Sequence, residues 1–213
     1  MLSNFLSNTF KIQVIINKTL VESKDIDNAM HLFSSITNKS NYILITNHVA
    51  EKVLDLFDEM KIEPNQFTLS TLFNACAVLN NNRAMKTGKR LLDEMPENYR
   101  NDNITSTSAI DMLMKFGDVE SAERMFRSIK VKSTNIYGAL MNGYNLNGES
   151  WKCFKIFEEM KEKDIILGEI AWNILIGACS KSGMLHHCQY IVNQIPLNIQ
   201  NKIRTQNALI DMW

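Results

Sequence analysis

The chain has 213 residues, with 23 Lys plus Arg balanced by 23 Asp plus Glu, and only 8 Gly and 3 Pro. Scarce turn formers beside abundant Leu and Met exclude a loop-rich or β-rich fold and favour helices. A formal net charge of zero excludes the strong general attraction to polyanions that a basic protein exerts.

No uninterrupted apolar run approaches the ~18 residues needed to cross a bilayer, so no membrane partner is expected. The cysteines Cys76, Cys153, Cys179 and Cys188 form no Cys-x-x-Cys pair and read as reduced thiols in small-residue slots.

The dominant pattern is a repeat. The pentapeptide Leu56-Phe57-Asp58-Glu59-Met60 returns as Leu91-Leu92-Asp93-Glu94-Met95 and Ile156-Phe157-Glu158-Glu159-Met160, and more weakly as Leu32 to Ile36, Met125 to Ile129 and Ile191 to Ile195. These copies end at 36, 60, 95, 129, 160 and 195, at intervals of 24, 35, 34, 31 and 35. A period of ~35 residues predicts a two-helix unit copied along an all-α solenoid, each unit burying its apolar face against its neighbours. One repeat domain over 1–213 is expected.

In chain order, Met1 to Leu20 carries Lys11 and Lys18, several Ser and Asn, no Arg, and no acid before Glu22. It reads either as a transit segment over 1–20 or as the first helix of a degenerate repeat over 1–40. The repeat over 41–65 is shortened by the interval of 24. Its second helix, His48 to Met60, keeps the signature, so the loss falls on the first helix. Asn41 to Asn47 would remain as a stub of about two turns, which predicts a local defect over 34–65.

Four repeats follow, 66–102, 103–133, 134–168 and 169–202. In 103–133, Thr107 to Phe116 has helical spacing, Gly117-Asp118 breaks it, and Asp118 is suited to cap a second helix, Val119 to Ile129, striped with Ala122, Met125, Phe126 and Ile129. Ile136 to Gly148 and Trp172 to Gly183 repeat the first-helix pattern. The segment 203–213 matches the start of another first helix, so a fragment, a truncated gene product or a degenerate copy is expected.

These residues resemble the pentatricopeptide repeat family of RNA-binding solenoids. Its signature pairs a first helix ending in Lys-x-Gly with a second ending in Leu-Phe-x-x-Met, often followed by Pro-Asn, and Met60 to Asn65 supplies that ending. The tetratricopeptide pattern of Trp, Leu-Gly, Tyr, Ala, Phe and Pro at fixed offsets is not found. The resemblance implies a right-handed α-solenoid of antiparallel two-helix repeats. Repeat lengths of 37, 31, 35 and 34 resemble the subclass with alternating long, short and standard repeats, found in plant-type organellar RNA-editing factors. The His-x-Glu and Pro-Cys-x-x-Cys of the deaminase domain that often ends such factors are missing, so no enzyme activity, cofactor or metal is expected.

Family function depends on the layer of first helices, where side chains read single-stranded RNA at about one base per repeat. The resemblance implies base readers at Ser70, Thr107, Gly138, Asn173 and Asn207. They would cooperate with the last residues of successive repeats, Asn65, Asp102, Ser133, Gly168 and Lys202. Ser70 with Asp102 implies a purine, guanine above all; Thr107 implies a purine and Asn173 a pyrimidine, while Gly138 offers no hydrogen-bonding group. Ser133, Gly168 and Lys202 depart from the usual partners, which weakens any defined sequence preference. Base-flanking residues would be Phe67, Ile104, Asn135 and Ile170, and phosphate would be met by Lys115 and Lys181. Segments 66–80 and 134–147 hold no charged residue, so weak, salt-sensitive binding is expected.

Other clusters carry less. His186-His187-Cys188 sits on a helix where neighbours point about 100° apart and cannot grip one metal. His31 and His48 stand alone, and Asp58-Glu59 and Glu158-Glu159 are solvated edges of the repeated helix end. The expected partner is therefore single-stranded RNA in an organelle, mitochondrion first, with a second protein supplying any catalysis and no role for DNA. The alternatives are a protein-binding scaffold or a truncated, decayed copy of a longer editing factor.

Overall fold

The computed structural model describes residues 43–59 and 63–212. Readings that concern residues 1–42 and 60–62 lie outside it. Among the described residues every regular element is an α-helix. The chain divides into two compact units, Met1–Met95 and Pro96–Trp213, and the division falls inside the expected 66–102 repeat.

The first compact unit holds α1 (Ile43–Glu59), α2 (Gln66–Leu79) and α3 (Asn82–Glu94). The expected break before His48 is not seen among the described residues: α1 is continuous over the 17 residues Ile43–Glu59, so residues 43–47 run on into the helix that carries the signature. The physical reason is local, since Ile45 to Val49 contains neither Gly nor Pro to end a helix. The shortened repeat thus contributes one described helix. Val49, Val53 and Leu54 of α1 and Leu69, Leu72 and Phe73 of α2 are buried, with α1 packed on α2 and α2 on α3. Two consecutive asparagines make the α2–α3 turn. Asn80 takes the left-handed conformation at φ 42°, and Asn81 accepts from Ala84 N at 2.9 Å as the cap of α3.

The second compact unit contains α4 (Glu97–Arg100), α5 (Asn103–Lys115), α6 (Val119–Ser128), α7 (Thr134–Leu146), α8 (Lys152–Glu162), α9 (Glu169–Ser182), α10 (Leu185–Gln194), α11 (Leu197–Gln200) and α12 (Ile203–Met212). Three helical hairpins result, α5/α6, α7/α8 and α9/α10. First helices form a continuous row, α5 against α7, α7 against α9 and α9 against α12, while α6 and α8 each also touch the next first helix. A first helix is thereby covered on several sides. Thr105, Ser106, Ser108, Ala109, Ile110, Met112, Leu113 and Met114 of α5 are all buried, against only Ala122 and Phe126 within α6. This burial explains the uncharged stretch 134–147, because an unpaired charge on such a helix would lose its hydration.

Asp118 caps α6, accepting from Ser121 N at 3.2 Å. Gly117, Gly148 and Gly183, with φ of 76°, 75° and 64°, end the three first helices in the left-handed conformation that costs glycine little. The short helices α4 and α11, which follow Pro96 and Pro196, were not legible as elements in the repeat pattern.

A close approach in the row is at Gly143 of α7, where an added Cβ would land on the Cβ, Cγ and Sδ of Met114 in α5. Gly143→Ala is expected to destabilise the protein by about 1–3 kcal/mol, since overpacking outweighs the gain of up to ~1 kcal/mol in helix propensity. Gly138→Ala, whose Cβ would stand 3.9 Å from Ile174 Cδ1, should be neutral or stabilising. Thermal unfolding of the two variants checks the contrast.

Candidate functional site

The residues expected to read or flank bases lie at the N-terminal turns of the first helices, and the two expected phosphate contacts, Lys115 and Lys181, at the C-terminal ends of α5 and α9. Each such helix has three positions of interest: the cap, the second helical residue and the fifth. The second and fifth are three apart and share a face.

The caps divide into two kinds. Asn65 Oδ1 accepts from Thr68 N at 2.8 Å, and Asp102 Oδ2 from Thr105 N at 2.8 Å. Those two side chains are held by their own helices, as short polar side chains at this position commonly are. Ser133 and Gly168 provide no side-chain cap to α7 and α9. The Ser133 hydroxyl is enclosed without a hydrogen-bond partner, although its backbone N donates to Asn103 Oδ1 at 3.2 Å. Lys202, just before α12, has its ammonium 3.7 Å from Glu169 Oε2.

The second positions face solvent. Phe67 is 49% exposed, Ile104 65% and Ile170 75%, and Asn135 is also exposed. Arg204 occupies the same register in α12 and is exposed; sequence reasoning passed over it, although its position two residues after Lys202 was signal enough.

The fifth positions of α2, α5, α7 and α9 are more enclosed. Ser70 is buried and its Oγ has no partner. Thr107 Oγ1 donates to Asn103 O at 2.6 Å, Asn173 Oδ1 accepts from Thr205 Oγ1 at 3.0 Å, and Asn207 is exposed. Within the second compact unit, packing brings Ile104 and Thr107, Asn135 and Gly138, Ile170 and Asn173, and Arg204 and Asn207 into one row of helices. Asn65, Phe67 and Ser70 belong to α2 in the first unit, so the pairing of Ser70 with Asp102 joins residues of different units.

Both lysines expected to meet phosphate have intramolecular partners. Lys115 Nζ lies 2.7 Å from Asp111 Oδ2, one helical turn back, and Lys181 Nζ donates to Asn145 O at 2.8 Å. The C-terminal turn of a helix offers a cation these acceptors nearby. Contact with phosphate would require either lysine to share or exchange its partner.

The cysteines are free and buried, and burial pushes the Cys76 and Cys153 thiols up to about 12, which keeps them protonated and unreactive. Among the described residues no group of three or more His, Cys, Asp or Glu is placed to hold a metal ion. His187 stacks on Phe154 with ring centres 5.2 Å apart, and Cys188 is buried.

The family model for the PPR repeat matches residues 104–133, 136–165 and 170–196. A chloroplastic pentatricopeptide repeat-containing protein of Arabidopsis thaliana is 33% identical over 170 residues, covering 76% of this chain and 22% of its own. A mitochondrial one from the same plant is 26% identical over 192 residues, covering 84% and 34%. A crystal structure of the pentatricopeptide repeat protein PPR10 in complex with an 18-nt psaJ RNA element aligns with a TM-score of 0.43 at 15% identity, covering 94% of this chain and 37% of that one. The chain thus spans between a fifth and a third of the length of these curated relatives.

Capping and base reading separate experimentally at Asp102. Asp102→Ala should cost about 1 kcal/mol through loss of the cap, whereas Asp102→Asn keeps an acceptor and should stay within a few tenths of a kcal/mol of the parent. Melting temperatures of both variants check this, and altered RNA preference in Asp102→Asn at unchanged stability would mark a reading role beyond the cap.

Proposed function

We propose that this chain, which belongs to the pentatricopeptide repeat family, binds single-stranded RNA across the N-terminal turns of its first helices and acts in organellar RNA processing or editing without catalysis of its own. The observation that carries the reading is the repeated exposure of second-position side chains. Ile104 and Ile170 stand 65% and 75% exposed at equivalent points of alternate repeats, with the exposed Asn135 at the same point of the repeat between them, in a row otherwise well buried. Such side chains gain from burial only when an outside surface covers them, and every RNA base has an apolar face.

Beside each flanking residue lies the fifth-position group, Thr107, Asn173 or Asn207, whose hydroxyl or amide matches a base edge. Gly138 leaves its base unread, and neighbouring Asn135 is polar, so the α7 repeat would act chiefly as a spacer. The alternating repeat lengths support the subclass of editing factors, in which case a partner protein would supply the chemistry. Chloroplastic and mitochondrial relatives support an organelle, and no helix among the described residues is long and apolar enough to cross a membrane.

With Lys115 and Lys181 as the only phosphate contacts assigned, a single-strand slope near −0.7 per neutralised phosphate gives a log affinity that falls with log salt by no more than about 1.4. Retention of randomised single-stranded RNA, measured across salt concentrations, tests the reading; no retention at low salt would sink it. The double variant Ile104→Ser, Ile170→Ser should bind roughly thirtyfold more weakly at unchanged melting temperature, since each site loses on the order of 1 kcal/mol of apolar burial and 1.4 kcal/mol is about tenfold.

A further inference from the structure

The third residue of a first helix is a threonine in α2, α5 and α12: Thr68, Thr105 and Thr205. All three are buried, so each hydroxyl proton has to find an acceptor inside the protein. In α2 and α5 that acceptor is the helix's own cap. Thr68 Oγ1 donates to Asn65 Oδ1 at 2.9 Å, and Thr105 Oγ1 to Asp102 Oδ2 at 3.0 Å. The residue before α12 is Lys202, whose side chain has no acceptor and whose ammonium lies near Glu169 Oε2 instead. The Thr205 hydroxyl therefore crosses to the preceding first helix and donates to Asn173 Oδ1 at 3.0 Å.

This bond sets which end of the Asn173 amide a ligand can meet. The amide is planar, with oxygen and nitrogen on opposite edges, so an oxygen held by Thr205 turns the two N–H donors of Nδ2 the other way. Asn173 is half-buried. Its Nδ2 has no hydrogen-bond partner among the described residues and, unlike the Ser70 and Ser133 hydroxyls, is not enclosed. An amide free to turn over can pair with any base edge that sets a donor beside an acceptor, and so discriminates little. With its oxygen engaged, Asn173 offers donors alone.

Within the RNA-binding reading, on which this rests, we propose that Thr205 determines the base preference of the α9 repeat. By holding the Asn173 oxygen it leaves a donor-only contact, which favours a base with two adjacent acceptors: cytosine through N3 and O2, or guanine through N7 and O6. Uracil and adenine have no two acceptors side by side on these edges. Thr205 touches no base itself; it acts through Asn173, as a positioning residue buried in the next repeat.

The test applies the full chain to a pool of randomised single-stranded RNA and sequences the bound fraction. The parent should show a position at which cytosine or guanine outnumbers uracil and adenine by about threefold or more. In Thr205→Val, which keeps the side-chain shape but lacks the hydroxyl, that position should become nearly even while other positions and total retention stay unchanged. Thr205→Ser, which restores the hydroxyl, should recover the bias. Melting temperatures show whether the valine variant folds, and Thr205→Ala carries the same expectation if it does not. Retention with no such position, a bias that survives loss of the hydroxyl, or a bias that serine fails to restore would overturn this proposal and leave the RNA reading standing. Loss of all retention in the parent would overturn both.

Discussion

The lateral approach of first helices is the constraint on which the second compact unit depends. Repeats of this size cannot bury an apolar face alone, so α5, α7, α9 and α12 must lie close enough to exclude water. Closeness requires small side chains at the crossings, and at Gly143 over Met114 there is no room even for a Cβ. It also requires that polar groups trapped between helices find partners there. Asn147 Nδ2 donates to Met114 O at 2.8 Å, Asn145 Nδ2 to Ile174 O at 2.9 Å, and Lys181 to Asn145 O. Side chains that might have served a ligand are drawn into holding the row together. What stays outside at the start of each first helix is the second position, as at Ile104, Asn135 and Ile170, while the residues just after it are buried.

Helical class and hairpin order were legible because the determinants are short-range. Leu-Phe-x-x-Met buries its first and last residues and exposes the acids between, as at Leu91, Asp93, Glu94 and Met95, so the pattern reports one face of a helix. Asp118 and Gly117 mark a boundary through groups that act within four residues. The α1 boundary was misplaced because the period argued for a break where no residue in the local sequence makes one. Helices α4 and α11 escaped notice because four-residue helices have no periodicity to read, only a preceding proline.

The lysines show why site residues were harder to read than fold. Lys115 and Lys181 have the right position relative to Gly117 and Gly183, but a register says nothing about competing acceptors. Asp111 is visible in the sequence one turn before Lys115, whereas Asn145 O is 36 residues from Lys181 and is brought near only by packing of α9 on α7. Asn173 is similar: its amide belongs to the expected base-reading position, and its oxygen is already engaged by Thr205 across the α9–α12 contact.

The balance of charge follows from this architecture and limits how RNA could be held. Second helices spend their acids and bases on one another, as in Glu123 with Lys152 and Glu159 with Lys163, and first helices are too buried to carry many. Long-range attraction is therefore slight, and affinity has to accumulate from stacking and edge contacts, about 1–3 kcal/mol per base. With the α7 repeat acting chiefly as a spacer, the other two hairpins of the second compact unit would supply about 2–6 kcal/mol gross, from which several kcal/mol of association and ordering cost must be subtracted. A stretch of this length falls short of tight binding by itself. Because a repeat array adds its contributions nearly independently, each further repeat of this kind would multiply affinity.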